Sequence, residues 1–332
     1  MPAFDGPRAY FPLIDERLAA YDLLGGTVRW TLRASAQSPP AAGAGLVFLD
    51  EADTISALRQ ADGSIAWKIP APGRLSAPLR VAGDRLFVAT RELLFCYRAA
   101  DGLEEWRQPL KGVRSVPAVK GDRLYVSLDD GRVAAIRSDD GRLLWDRKIG
   151  GLPNDILALE AQILVGSTDN FLYSLNAVSG EIAWRRRTGA DVVHRPAADA
   201  HNVYFVSLDN VLRAVNRSHG VQQWMRPLPF RPAWPPVLAM DAVVVAGLTS
   251  PIRAYFLKDG AADDAFTPPA GGEIAAPLYT LEAPGAFGPM IIVITRSVAG
   301  QTTVVAVSRS VEPPAASTLA PLPNLTPVAV PR

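Results

Sequence analysis

Residues 123–145 run Arg123-Leu124-Tyr125-Val126-Ser127-Leu128-Asp129-Asp130-Gly131-Arg132-Val133-Ala134-Ala135-Ile136-Arg137-Ser138-Asp139-Asp140-Gly141-Arg142-Leu143-Leu144-Trp145. The first six residues are rich in β-formers and alternate in polarity, and Asp129-Asp130-Gly131 closes a hairpin. Val133 to Ile136 return as a second strand, and Asp140-Gly141 turns the chain again before Leu143-Leu144-Trp145. Glycine suits such turns because they need a positive φ, which costs it little. Upstream, Ser115-Val116-Pro117-Ala118-Val119 reads as a further short strand, with its proline where a ladder donor can be spared. The unit is four antiparallel strands.

The same unit recurs along the chain. Trp30, Trp67, Trp106, Trp145, Trp184 and Trp224 are spaced by 37, 39, 39, 39 and 40 residues. Each follows a glycine by four positions, at Gly26, Gly63, Gly102, Gly141, Gly180 and Gly220, and the series continues at Gly260 with Asp264 in place of the indole. Six residues before these glycines stand small side chains: Ala20, Ala57, Cys96, Ala135, Ser174, Ala214 and Ala254. An eighth such position is Ala306, after an insertion. Prolines comparable to Pro117 occur at Pro78, Pro196, Pro236 and Pro277, whereas the fifth unit has Ile156 or a neighbour there. Pro2 to Phe11 align without gaps against Pro78 to Phe87, which places Met1 at the start of a first strand.

Four strands per repeat of about 40 residues, with no sustained helical period, predict an all-β fold, an eight-bladed β-propeller of four-stranded antiparallel blades. Radially stacked sheets are covered on both faces, which accounts for doubly apolar strands such as Val243-Val244-Val245 and Ile291-Ile292-Val293-Ile294. The glycine turn is read as reversing the chain so that the indole four residues later lies across the sheet, with the small residue leaving room. Burying one indole removes about 150–250 Å² from water, which contributes roughly 4–6 kcal/mol at most. These tryptophans are read as structural.

Composition narrows the function. The 332 residues carry 34 Lys+Arg against 33 Asp+Glu, so there is no strong electrostatic case for nucleic acid or an anionic membrane as partner. The longest apolar run, Val237 to Leu248, is interrupted by Asp241 and falls short of the roughly 18 residues of a spanning helix. One cysteine, Cys96, excludes an internal disulfide framework and a multi-cysteine metal site.

The repeated segments resemble the pyrroloquinoline-quinone (PQQ) repeat family, whose tryptophan-docking motif has the form Ala-x-Asp-x-x-Thr-Gly-x-x-x-Trp. Ala20-Tyr21-Asp22-Leu23-Leu24-Gly25-Gly26-Thr27-Val28-Arg29-Trp30 matches its alanine, aspartate, glycine and tryptophan. Ser174 to Trp184 is a second close match, with Ser174 for alanine and Asn176 for aspartate. The resemblance covers about residues 2–311; residues 1–311 are read as one propeller domain, and 312–332 as a Pro/Ala-rich closing strand or tail, with 326–330 the candidate outer strand. It implies eight blades. Within the family the chain looks most like the BamB-type lipoproteins that assist outer-membrane β-barrel assembly.

The resemblance also raises a PQQ-dependent dehydrogenase. Such enzymes resemble this chain in their blades but carry an adjacent cysteine pair, calcium-binding carboxylates and amides, and a catalytic aspartate. Cys96 stands alone at the small position of the docking motif, and no segment accepts the calcium or catalytic residues. No cofactor, metal or catalytic residue is therefore expected. His194 and His201 lack further ligands nearby, and His219 takes a turn position. Asp129/Asp130 and Asp139/Asp140 lie in tight turns, where aspartate favours the backbone geometry.

Two features break the repeat and are the candidate partner-binding residues. Arg185-Arg186-Arg187, followed by His194 and Arg195, concentrates cations between units five and six. Trp234, within Phe230-Arg231-Pro232-Ala233-Trp234-Pro235-Pro236, lies off the docking register. Edge charges that discourage aggregation and an aromatic packed over the channel are the alternatives. The expected function is a non-enzymatic, monomeric scaffold for protein partners, including the outer-membrane barrel-assembly machinery, without nucleic acid or a membrane span. A small-ligand, sugar-binding or PQQ-dependent enzyme propeller and an extracytoplasmic sensor domain are the rivals. No leader or lipobox precedes the first strand. The expected location is periplasmic or outer-membrane-anchored if the exported precursor is longer, and cytoplasmic if Met1 is the true start.

Overall fold

The computed structural model describes residues 1–13, 16–249, 251–267, 272–282, 289–297, 302–307 and 328–329. They form eight antiparallel sheets in chain order, at residues 3–33, 41–70, 80–109, 118–148, 153–187, 197–227, 237–266 and 273–329, here blades 1 to 8. Each of blades 1 to 7 is a four-stranded meander. In blade 8 the first strand is split into Glu273–Ile274 and Tyr279–Leu281, which both pair with Met290–Arg296. Thr302–Val307 follows, and Val328–Ala329 pairs with it on the outside. Residues 312–327 lie outside the described residues. No described helix is long and apolar enough to cross a membrane.

First strands of successive blades approach one another, so they ring the central axis. The middle strands are buried on both faces, as in Leu46–Asp50, where every residue is buried. Outer strands alternate between exposed and half-buried, as in Thr27–Arg33. The core is accordingly divided into clusters between blades. One joins Phe87, Cys96 and Trp106 of blade 3 to Leu124, Val126 and Ile136 of blade 4. Another joins Ala9, Phe11 and Tyr21 of blade 1 to Leu281, Ile292 and Ile294 of blade 8, and so closes the ring. At that seam Phe4 and Tyr279 stack with centroids 4.1 Å apart and planes within 6°.

The docking residues work between blades. Each small residue lies directly opposite its own tryptophan across the third and outer strands, as Ala135 opposite Trp145 and Ser174 opposite Trp184. In five blades an aromatic of the second strand completes the row, such as Tyr125, whose ring lies 6.0 Å from Trp145. The glycine, however, serves the preceding blade. A Cβ on Gly141 would sit 2.5 Å from Trp106, and one on Gly180 would sit 2.5 Å from Trp145. The indole also donates to the carbonyl three residues before that glycine: Trp106 Nε1 to Ser138 O at 2.9 Å, Trp184 Nε1 to Arg217 O at 2.9 Å. The glycine turns at positive φ as expected, and the structure adds a second role: each glycine seats the indole of the blade before, and so locks neighbours together.

Two further readings shift. The register pairs Ala3 with Tyr10 and Arg80 with Phe87, which equates Gly6 with Gly83, both at positive φ. The N-terminal alignment is thus displaced by one residue from the ungapped sequence match. The strand expected over residues 115–119 begins at Ala118, because Pro117 precedes the ladder. Ala306 pairs with Ile292, as the eighth small position requires.

Candidate functional site

A meander sends the turns between strands one and two, and between three and four, to one end of the propeller. The turns between strands two and three emerge at the other end, together with the inter-blade connections. The candidate residues divide between the rim and this connection face.

Arg185, Arg186 and Arg187 lie on the outer strand of blade 5, Ile182–Arg187. The Arg185 guanidinium sits 5.0 Å over the Phe171 ring, an arrangement that favours a cation on an aromatic face. Arg186 donates to Gln222 Oε1 of blade 6 at 2.8 Å. Arg185 and Arg187 are exposed. Among the described residues none of the three is in an ion pair. The strand therefore presents positive charge at an unpaired sheet edge, held in place on one side by stacking and on the other by the next blade.

His194 and Arg195 are not beside them. They lie at the inner end of the connection, just before the first strand of blade 6, Ala197–Ala198. Three inter-strand spacings, about 14 Å, separate the first strand of a blade from its outer one. At the inner end the neighbours are Asp155, Arg114 and Arg80. Burial pushes the Asp155 carboxyl up, against the opposing pull of Arg195, His194 and Arg114. Burial also holds His194 below the usual imidazole range, although the Pro232 carbonyl and Asp155 favour its charged form. The Arg80 guanidinium is pushed down by burial and by the like charge of Arg195. Sequence reasoning missed Arg80, Arg114 and Asp155. A signal existed: once strands are aligned by register, Asp155 and Arg195 occupy one repeat position whose counterparts are apolar, such as Val116, Pro78 and Pro235.

Trp234 is half-buried, and its indole donates to Ile274 O at 3.2 Å. It packs on the cluster between blades 7 and 8. Its connection also carries Pro232, whose carbonyl acts on His194. The structure thus brings His194, Arg195 and the Trp234 connection to one face and leaves the arginine triplet at the rim.

Three clefts lie nearby. One of about 660 Å³ sits on the connection face between blades 2 and 3, lined by Ser38, Asp50, Asp53 and Arg74 among others. A neighbour of about 450 Å³ is lined by Arg74, Arg91, Arg114 and Asp129. The third, about 270 Å³ and apolar, lies between blades 7 and 8, lined by Val244, Ala254, Val293 and Val307. It coincides with the interface whose sequence lacks the docking tryptophan.

The residues do not fit a calcium–quinone centre. Cys96 is buried opposite Trp106, and burial raises its thiol to about 12, with Glu105 adding to the shift. Among the described residues no three His, Cys, Asp or Glu are grouped to hold a metal ion. Among the described residues, the groups that act on His194, Asp155 and Arg80 are mostly guanidinium, with Asp155 as the carboxylate, rather than the carboxylate-and-amide set that such a cation takes.

Comparison with known proteins places this geometry in a family. The sequence profile described as "Outer membrane protein assembly factor BamB" matches residues 1–74, 51–157 and 147–273. The outer membrane protein assembly factor BamB of Yersinia pestis is 26% identical over 114 residues, which span 33% of this chain and 29% of that protein. The crystal structure of BamB from Moraxella catarrhalis superposes with a TM-score of 0.64 at 17% identity, covering 82% of this chain and 84% of that one. A quinohemoprotein alcohol dehydrogenase from Pseudomonas putida superposes with the same TM-score of 0.64 at 11% identity, over 88% of this chain and 69% of the other. At such identities the two superpositions establish the shared propeller and nothing about chemistry. The sequence match carries the assignment: the chain belongs to the PQQ-like β-propeller family of the outer membrane protein assembly factor BamB.

Proposed function

We propose that the chain is a non-enzymatic, monomeric scaffold that binds protein partners outside the cytoplasm and assists outer-membrane protein assembly, with residues 1–311 as its propeller domain. The observation that carries this reading is the family match over residues 1–273. The side chains are consistent with it. Cationic and aromatic groups are presented on rim and connection face, where a partner could dock, and among the described residues no three His, Cys, Asp or Glu are grouped to hold a metal ion. The contact surface is taken as Arg185, Arg186 and Arg187 at the rim, with His194, Arg195 and Trp234 on the connection face. Arginine and tryptophan are the side chains that most often dominate such interfaces.

The test is an affinity pull-down of the exported form from its native envelope, read by mass spectrometry, beside an R185E/R186E/R187E variant. Enrichment of barrel-assembly components, lost in the variant, is the expected result. Enrichment of none of them sinks the assembly role. The non-enzymatic part is tested separately by reconstitution with PQQ and calcium: a stoichiometric cofactor absorption with artificial-acceptor turnover would overturn it.

A further inference from the structure

We propose that the mouth of the central channel on the connection face binds a small oxyanion carrying two or more negative charges, held by Arg80, Arg114 and Arg195. The repeat itself singles these residues out. Arg80 opens the first strand of blade 3, where it pairs with Phe87. The residues that take this place in the other blades are uncharged, among them Ala41, Ala118, Ala197 and Val237. Arg195 stands two residues before the corresponding place in blade 6, a position taken by Pro78, Val116 and Pro235 in blades 3, 4 and 7 and by Asp155 in blade 5. Blades 3 and 6 are three apart in a ring of eight, so the electrostatic coupling of Arg80 to Arg195 runs across the channel. Arg114 enters from the connection between blades 3 and 4 and reaches the same field through Asp155.

Among the described residues, the three guanidinium groups have Asp155 as the carboxylate that acts on them, which leaves positive charge in excess at the channel mouth. Arg80 is half-buried, so its repulsion from Arg195 is less screened than between two fully exposed side chains. The arrangement also leaves a donor unused: Arg80 Nε is buried and has no hydrogen-bond partner. A buried N–H without an acceptor is destabilising, so an acceptor bound at this point relieves both the missing hydrogen bond and the repulsion. The planar fork of guanidinium matches carboxylate and phosphate oxygens and gives short, charge-assisted hydrogen bonds. Phosphate and a polycarboxylate share this chemistry. The site shares Arg195 with the connection-face part of the proposed contact surface and is separate from the arginine triplet at the rim, so calorimetry with small anions tests it apart from partner binding.

Isothermal titration calorimetry of the whole chain distinguishes the sources, with inorganic phosphate in one arm and citrate in the other. Saturable one-to-one binding in at least one arm is expected, weakened at least about tenfold in R195Q and in R80Q. D155N, which removes the opposing carboxylate, is expected to bind severalfold tighter. Melting temperature reports whether each variant folds. If R80Q does not, R195Q decides, because Arg195 is exposed. Heat that fails to saturate up to about 10 mM in both arms would overturn the proposal. So would binding unchanged in R195Q, or weakened in D155N.

Discussion

The contact that fixes this propeller is an indole of one blade against a glycine of the next, and its consequences are sharp. At Gly141 φ is +72° and an added Cβ would lie 2.5 Å from Trp106. Gly141→Ala is therefore expected to lose roughly 2–5 kcal/mol, combining left-handed strain with overpacking, measured by denaturant unfolding. Tryptophan and glycine were plain in the sequence, yet their partnership was not. Gly-x-x-x-Trp has the same spacing whether the glycine seats its own indole or the one before. Only the fold brings residues about 35 apart together. A second residue-scale feature lies within one hairpin: Arg213 is buried and donates to both Asp209 and Ser207, and Ser207 Oγ donates in turn to Asp209 Oδ1. Burial alone would raise the Asp209 carboxyl, but hydrogen bonds from Arg213 and Ser207 outweigh it and hold the group below the usual range. A lowered folded-state pKa adds stability that is present above the unfolded value, near 4, and lost as pH falls through the folded one. Melting temperature is accordingly expected to drop as pH falls below about 4. Asp209→Asn is expected to cost about 3 kcal/mol at pH 7, because it strands the Arg213 charge, and to flatten the acid slope.

At the level of the blade, strand number and order follow directly from the alternating residues and turns of segments such as 123–145. Boundaries followed less well. Pro117 sits before its strand and not within it, since the ladder begins only where a donor is available. The arginine triplet and the pair His194 and Arg195 are close in sequence, but a strand end and a connection carry one to the rim and the other to the axis. Blade 7 shows what the motif contributes by lacking it. With Asp264 in the series and Val244 in the aromatic row, the interface with blade 8 keeps an apolar cleft of about 270 Å³. Ala254 lines that cleft at the small position. Ala254→Leu is expected to fill part of it and stabilise the chain by about 1 kcal/mol, seen as a higher denaturant midpoint with unchanged slope. A lower midpoint would mean that the space is needed by the surrounding strands.

Across the whole molecule the ring closes by side-chain packing between blades 8 and 1, with Tyr279 on Phe4 and Ile292 beside Ala9. Blade count and closure were legible because a repeat of 40 residues cannot bury both faces of a sheet without neighbours. The channel mouth was not legible, since Arg80, Arg114, Asp155 and Arg195 are spread over more than 100 residues and converge only when first strands encircle an axis. The near balance of 34 basic and 33 acidic residues likewise conceals a local excess of positive charge. The function proposed at this scale rests on family membership. The direct measurement is a titration of the purified chain against the barrel-assembly machinery purified from the same envelope, followed by fluorescence anisotropy. Saturable one-to-one binding with a dissociation constant at or below about 1 μM, weakened at least about tenfold by R185E/R186E/R187E, is expected. Absence of saturable binding by the folded chain would contradict the scaffold role.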